Sequence, residues 1–183
     1  MIIKSTKTVI FISFFLFVRV GFADNLEINS AMQQYNYQKK VNWSVAKIKS
    51  KEALILYAQN NDSVLNLLSP ESKKLFVDSV IFRDNGVAGY RFDILESELT
   101  PTQIYKVLAL IGQQHNVHLL KKARIESKED IQLLSKPQIS SKSLPIKKDG
   151  MSNPDFMADH NGYKCESRGT CKISSVYICT SNC

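Results

Sequence analysis

The sequence predicts an α+β protein: a small core with a β-hairpin and several short helices, followed by a flexible linker and a small disulfide-stapled C-terminal segment. Three observations predict this class. An Asn-Gly pair separates two alternating apolar runs, which is typical of a β-hairpin. Helix-capping residues precede several short apolar segments. All four cysteines lie in the last 19 residues, which predicts a covalently stapled end.

The N-terminus has the residue order of a secretory signal peptide. Lys4 and Lys7 form a basic region, an apolar run covers 9–18, and small residues at 21 and 23 suit a signal peptidase. We predict cleavage after Ala23, with an uncleaved anchor as the alternative. The segment holds three basic residues and no acid, so its removal lowers the formal net charge from +7 to +4. Export places the protein outside the cytoplasm, secreted or periplasmic.

Residues 24–50 fit two elements. Apolar and aromatic residues at odd positions favour a strand, and the alternative is a helix over 31–49. The alternating residues are Tyr35, Tyr37, Val41, Trp43 and Val45.

Capping residues predict the helices that follow. Ser50 and Ser69 are candidate N-caps, the second followed by proline at the first helical position. Thr100 and Gln103 fit a capping box, and Ser127 opens the last helix. The predicted helices cover 51–60, 70–78, 101–112 and 128–134, with a short helical segment at 63–68.

Two strand predictions complete the core. Asn85-Gly86 suits a two-residue turn, so we expect a hairpin that pairs 79–84 with 87–93. Residues 116–120 are a candidate third strand. The acidic cluster of Asp93, Glu96 and Glu98 after the hairpin is expected to be solvated.

The composition changes after the last predicted helix. Three prolines and many serines and lysines, without apolar periodicity, are typical of a linker. A linker of this length is unusual inside a compact domain, so we expect the cysteine segment to be a separate small module. The predicted organisation is a signal peptide at 1–23, a core domain at 24–134, a flexible linker at 135–160 and a cysteine-rich segment at 161–183.

The cysteines carry the only site prediction. An exported chain with an even cysteine count is expected to form disulfides, here two among Cys165, Cys171, Cys179 and Cys183. Three pairings exist, and strand-forming residues between the middle cysteines favour the nested or crossed ones. Zinc sites use two short Cys-x2–4-Cys pairs, and only the last pair fits.

Other polar residues carry weaker hypotheses. His115 and His118 would share a face on a helix but not on a strand, so a metal site is not predicted. His160 near Cys165 resembles a nucleophile pair, which oxidation of the cysteine would inactivate. The motifs of common hydrolases, phosphate-binding loops and dinucleotide sites are absent. We predict no catalytic residue, no metal and no cofactor.

These observations favour an exported, non-enzymatic binding protein that acts through its core and its stapled segment. The expected partner is an unknown protein or extracytoplasmic surface, and no nucleic-acid motif is present. The basic stretch at 39–51 adds the prospect of weak contact with an anionic membrane surface. Two alternatives stay open: a small exported hydrolase without a recognisable motif, and a secreted membrane-active effector or toxin.

Overall fold

A computed structural model describes residues 20–135 and 159–183. Within them, helices lie before and between the strands of a four-stranded antiparallel sheet, whose strands lie in the order 81–83, 86–91, 170–179 and 160–167, which confirms the predicted α+β class. No helix in these ranges is both long and apolar enough to cross a membrane. The elements are α1 (Val20–Val45), α2 (Lys51–Ala58), a 3₁₀ segment (Val64–Leu67), α3 (Pro70–Ser79), β1 (Ile81–Arg83), β2 (Gly86–Arg91), α4 (Asp93–Glu98), α5 (Pro101–Leu110), a 3₁₀ segment (Gln114–Leu119), α6 (Lys128–Leu134), β3 (His160–Ser167) and β4 (Thr170–Cys179).

The predicted helix caps are present. The side chains of Ser50 and Ser69 each accept a hydrogen bond from a backbone amide of the first turn. Thr100 and Gln103 form both hydrogen bonds of a capping box. Ser127 caps α6 in the same way, with Asp130 as its partner. The caps satisfy amides that lack partners within the helix, so these local patterns determine where the helices begin.

The slight preference for a strand in residues 24–50 was wrong, because α1 continues to Val45. Two members of the alternating series, Tyr37 and Val45, have exposures of 69% and 68%. The face that α1 presents to the rest of the molecule carries Lys39 and Asn42 beside Tyr35 and Trp43. Polar side chains on this mixed face interrupt the apolar helical period in the sequence.

The hairpin formed as predicted, with its turn shifted by one residue. Arg83 pairs with Gly86, so the turn residues are Asp84 and Asn85 rather than Asn85 and Gly86. Position 86 opens β2 beneath the side chain of Asn182, where a Cβ atom would lie 2.4 Å from Asn182 Nδ2. The φ of +150° at Gly86 is one that other residues rarely adopt, so glycine is favoured here in the strand rather than in the turn.

The candidate strand at 116–120 was also wrong, because this region belongs to the second 3₁₀ segment. Its buried residues Val117 and Leu120 are three apart, which matches a 3₁₀ turn and not strand alternation. Asn116 is fully buried, and its amide nitrogen donates to the side-chain oxygens of Gln113 and Asp159, whereas its Oδ1 has no hydrogen-bond partner among the described residues.

The C-terminal segment belongs to the sheet of the core, so the expectation of a separate module was wrong in this respect. β4 pairs with β2 through Gly89 and Cys179, Tyr90 and Ile178, and Arg91 and Tyr177. Ile178 is fully buried in the main apolar cluster. Ile178 therefore packs against apolar side chains of the helical region. Residues 136–158, most of the predicted linker, lie outside the described ranges, and the predicted domain boundaries stay a prediction.

Candidate binding site at the stapled hairpin

β3 and β4 form a hairpin that bends back on itself. Asn161 pairs with Ile178, yet Tyr163 pairs with Ile173, so four residues of β4 have no partner in β3. The bend in β3 lies at Gly162, where φ is +85° and a side chain would be strained. The outer half of the hairpin, residues 163–173, therefore folds away from the direction of its base, where Asn161 pairs with Ile178.

Two nested disulfides hold this bend, Cys165–Cys183 and Cys171–Cys179. The nested arrangement is one of the two that the sequence favoured. Cys171 and Cys179 are eight residues apart in β4, and in a straight strand they would be about 26 Å apart. Their Cα atoms are 6.1 Å apart, so this bond exists only because β4 folds back.

The disulfides build a small second core against the first hairpin. Cys165, Cys179 and Ala88 are buried together, with Ile81 and Cys183 packed around them. The amide of Gly169 in the outer turn donates to the carbonyl of Cys183 at 2.7 Å. The outer half of the hairpin is therefore fixed to β2 and to the end of the chain.

A buried carboxylate, Asp159, fixes the base of the same hairpin. Its side chain has no solvent exposure. Oδ1 lies 2.8 Å from Lys39 Nζ and accepts from the Ser181 amide at 3.0 Å. Oδ2 lies 3.0 Å from His115 Nε2 and accepts from Asn116 Nδ2 at 2.8 Å. One side chain thus joins α1, the second 3₁₀ segment and the residues after β4.

The electrostatics of this network favour the charged carboxylate. Burial alone would raise the pKa of Asp159, but the hydrogen bond from His115 and the charge of Lys39 outweigh burial and hold the pKa well below its usual range. Asn42 Nδ2 lies 3.1 Å from His115 Nδ1, which assigns that nitrogen as the acceptor and Nε2 as the donor to Asp159. Neighbouring Tyr90 is fully buried, and burial followed by the Asp159 charge raises the pKa of its phenol.

The network is suited to structural support and poorly suited to catalysis. The His115 side chain is only 6% exposed, so a substrate cannot reach it. Lys39 Nζ contacts both the hydroxyl of Ser181 and the Asp159 carboxylate, so this lysine is already engaged within the network. His118 Nδ1 faces the carbonyl of His115, so the two histidines do not face a shared ligand. The hypothesis of a histidine metal site therefore has no geometric support.

Among the described residues, one group of three metal-ligand side chains is close enough to share an ion. It consists of Cys165, Cys179 and Cys183. Each of their sulfurs is bonded to another sulfur, so none is a thiolate that could bind zinc. Cys165, which the sequence suggested could pair with His160, is oxidised for the same reason.

The three carboxylates of the acidic cluster, which was predicted to be a solvated loop, each make a separate contact at α4. Asp93 pairs with Arg91 at 2.6 Å. Glu96 accepts from the Lys122 amide. Glu98 accepts from Ser69 and Ser72 at the start of α3. No two of these carboxylates face a common cleft in these contacts.

The outer half of the hairpin presents an exposed surface beside a cleft. A cleft of about 520 Å³ separates it from the first hairpin. Ile173 beside this cleft has an exposure of 82%, and its cross-strand partner Tyr163 has 39%. The cleft is lined by Ile81, Lys164, Cys165, Glu166, Lys172, Ile173 and Ser174. Apolar and cationic groups therefore lie together on a covalently fixed scaffold.

The basic stretch at 39–51 offers less to a partner than its sequence suggests. Lys39 belongs to the Asp159 network. Lys49 lies over the Trp43 ring at 5.8 Å. Lys51 donates to three carbonyls at the end of α3 and completes that helix terminus. Lys39 and Lys51 are therefore engaged within the protein, whereas Lys40, Lys47 and Lys49 are exposed and carry the exposed charge of this stretch.

Comparison with known proteins found no matching family model, no matching curated protein and no matching solved structure.

Proposed function

We propose that this chain is an exported, non-enzymatic binding protein that contacts a protein or another extracytoplasmic surface through its stapled hairpin. The observation that carries the proposal is the exposed Ile173 on a hairpin fixed by two disulfides. Isoleucine is among the residues most often fully buried, and at 82% exposure it contributes little to folding.

Rigidity supports a role of the hairpin in recognition. A flexible segment loses conformational entropy when it binds, whereas a segment held in its bound shape loses less. The bend at Gly162, the two disulfides and the Asp159 contacts all restrict the hairpin before any partner arrives. Lys164 and Lys172 outnumber Glu166 at the cleft, and this net positive charge would favour a partner with acidic groups at its contact surface.

Export is part of the proposal and rests on two features. The N-terminal residue pattern is that of a signal peptide. Disulfides form and persist mainly outside the cytoplasm, and all four cysteines are paired.

A matched pair of variants tests the proposal. The oxidised protein is immobilised and exposed to the extracytoplasmic fraction of its own organism. Ile173→Ser is compared with Ile131→Ser, because Ile131 is also exposed, at 52%, but lies on α6. We expect the Ile173 variant to lose proteins or glycans that the wild type and the Ile131 variant both retain. Equal capture by all three would refute the role of the hairpin.

The hydrolase alternative is tested with the same preparations. We expect no turnover of a broad panel of ester, peptide and glycoside substrates by the wild type. Turnover that persists in Ile173→Ser and disappears when His115 is replaced by alanine would refute the non-enzymatic proposal.

A further inference from the structure

The two disulfides lie close enough for their sulfurs to exchange partners. The sulfurs of Cys165, Cys179 and Cys183 all lie within 4.8 Å of one another. Cys179 is thus next to both sulfurs of the disulfide to which it does not belong. Thiol–disulfide exchange requires a thiolate to reach a disulfide sulfur, and one side-chain rotation covers such a distance.

The four cysteines differ in their access to solvent. Cys171 is exposed and Cys183 is half-buried. Cys165 and Cys179 are buried, with exposures of 3% and 0%. An external thiol can therefore attack the Cys171 sulfur but not its partner. Exposure and electrostatics together select the cysteine that reacts.

We propose that the nested disulfides form a thiol-exchange relay, in which an external low-molecular-weight thiolate bonds to Cys171 and the terminal Cys183 leaves as a free thiol. This inference does not rest on the proposed binding function.

The relay consists of two balanced exchanges. In the first, the external thiolate sulfur bonds to Cys171 Sγ, the Cys171–Cys179 bond breaks, and its electron pair remains on Cys179. In the second, the Cys179 thiolate bonds to Cys165 Sγ, the Cys165–Cys183 bond breaks, and its electron pair remains on Cys183. One thiolate enters and one leaves, and the number of disulfide bonds is unchanged, so no separate oxidant or reductant is consumed.

Burial determines the direction of the second exchange. A thiolate on Cys179 would lie in the small apolar core, and burial disfavours the charged sulfur. Attack on Cys183 would release a thiolate on Cys165, which is buried in the same place. Attack on Cys165 instead releases Cys183, which is half-buried. The charge therefore moves outward.

The cations of the outer hairpin favour an anionic thiol. Lys164 and Lys172 line the cleft beside the disulfides together with Glu166, whose Oε1 lies 3.4 Å from Lys172 Nζ, and Arg168 is exposed in the adjacent turn, so the cations of this region outnumber its carboxylate. Positive neighbours stabilise a thiolate and attract a negatively charged reagent. Glutathione, which carries a net negative charge, is therefore the appropriate probe.

Peptide mapping of the oxidised full chain tests the relay. The protein is incubated with reduced glutathione at mildly alkaline pH, and free thiols are then blocked with N-ethylmaleimide. Trypsin cleavage after Lys164, Arg168 and Lys172 separates Cys165 from Cys171, and fragment ions distinguish Cys179 from Cys183. We expect glutathione on Cys171, a Cys165–Cys179 disulfide and maleimide on Cys183. Adduct at Cys171 should exceed adduct at Cys165 roughly tenfold because of their different access.

Two results would overturn the proposal. One is maleimide on Cys179 with Cys165–Cys183 intact, because the second exchange would then not occur. The other is the absence of adduct on the native protein under conditions that modify the same chain unfolded in urea.

A double variant provides a further check. Cys165→Ser with Cys183→Ser removes the acceptor disulfide, so Cys179 can only return to Cys171 and expel glutathione. We expect the yield of adduct at Cys171 to fall roughly tenfold relative to wild type. An unchanged yield would contradict the relay, and the wild-type mapping remains decisive if the variant does not fold.

Discussion

The helical region and the C-terminal hairpin are stabilised in different ways. The helices surround one continuous apolar cluster that includes Leu54, Phe76, Ile104 and Leu108, all fully buried. The hairpin contributes Ile178 to that cluster and otherwise depends on two disulfides and one buried carboxylate. Apolar burial supports the region with enough residues to form a core, and covalent and ionic contacts support the region that is too small to form one.

The difference has a consequence for function. A hairpin that does not use its side chains for a core can expose them, and Ile173 and Tyr163 are exposed. The helical region also exposes large apolar side chains, among them Tyr37 at 69% and Leu56 at 68%, but these do not lie on an element fixed by disulfides. The comparison therefore favours the hairpin as the contact surface.

Replacing Asp159 by asparagine should have the largest effect. The change leaves Lys39 without its buried partner and places an amide group among donors from His115 and Asn116. Removal of one member of a buried ion pair costs about 3–5 kcal/mol, and we expect that loss in the free energy of unfolding measured in urea. The control is Asp78→Asn at an exposed pair with Lys74, which should change stability by less than about 1 kcal/mol. If the two variants lose similar amounts of unfolding free energy, the Asp159 network does not stabilise the fold more than an exposed ion pair does.

Leu108→Ala should destabilise the helical region by about 2–5 kcal/mol because the side chain is fully buried in the main cluster. Leu67→Ala is the matched control, since Leu67 is 44% exposed. Both are measured by urea unfolding with the fluorescence of the single tryptophan, Trp43. We expect Leu108→Ala to lower the free energy of unfolding by the same amount whether the disulfides are oxidised or reduced. A loss at Leu108 no greater than at Leu67 would contradict the assigned core.

Removal of Cys165–Cys183 should cost about 3 kcal/mol, because the bond closes a loop of 18 residues in the unfolded chain. The variant is Cys165→Ser with Cys183→Ser. We expect faster trypsin cleavage after Lys164 and Arg168 but unchanged cleavage within α5, because the apolar cluster remains. Faster cleavage in both regions would mean that the helical region also depends on the disulfide.

Acid should loosen the base of the hairpin. The pKa of Asp159 is lower in the folded protein than in the unfolded chain, so its contribution is complete above the unfolded value of about 4 and is lost as the pH falls below it. Asp130 acts in the same direction: burial would raise its pKa, but hydrogen bonds, foremost from Thr102, lower it. We expect the unfolding free energy to be level between pH 7 and 5 and to fall by about 2–3 kcal/mol per such carboxyl group in acid. The unfolding free energy of Asp159→Asn should fall less in acid than that of the wild type. An identical pH profile for the two proteins would contradict the assignment of part of this fall to Asp159.

The sequence contained the local features of the fold but not the long-range ones. Thr100 and Ser127 could be assigned as caps because a cap and its partner lie three residues apart. The helix at Lys39 and Asn42 was predicted only as the alternative to a strand, because part of its contact face is polar and is satisfied by residues far along the chain. Hydrophobic periodicity cannot detect such a face.

The candidate site was only partly predictable. The cysteines were identified, but the choice between nested and crossed pairing depended on the bend at Gly162, and isolated glycines occur in many loops. Asp159 lies at the end of a segment with linker composition, and nothing in its neighbours indicates a buried charge. Its role arises from β4, which carries this segment back to the core.

Amide hydrogen exchange most directly tests the central claim, that the stapled hairpin is a fixed part of the core sheet. The amide of Phe92 donates to Val176 at 3.0 Å, and the amide of Thr180 donates to Ala88 at 2.9 Å. We predict that both amides are protected to nearly the level of α5, and that Asp159→Asn reduces this protection while α5 is unchanged. Exchange of both amides at the rate of an unstructured peptide, with the disulfides intact, would contradict the claim.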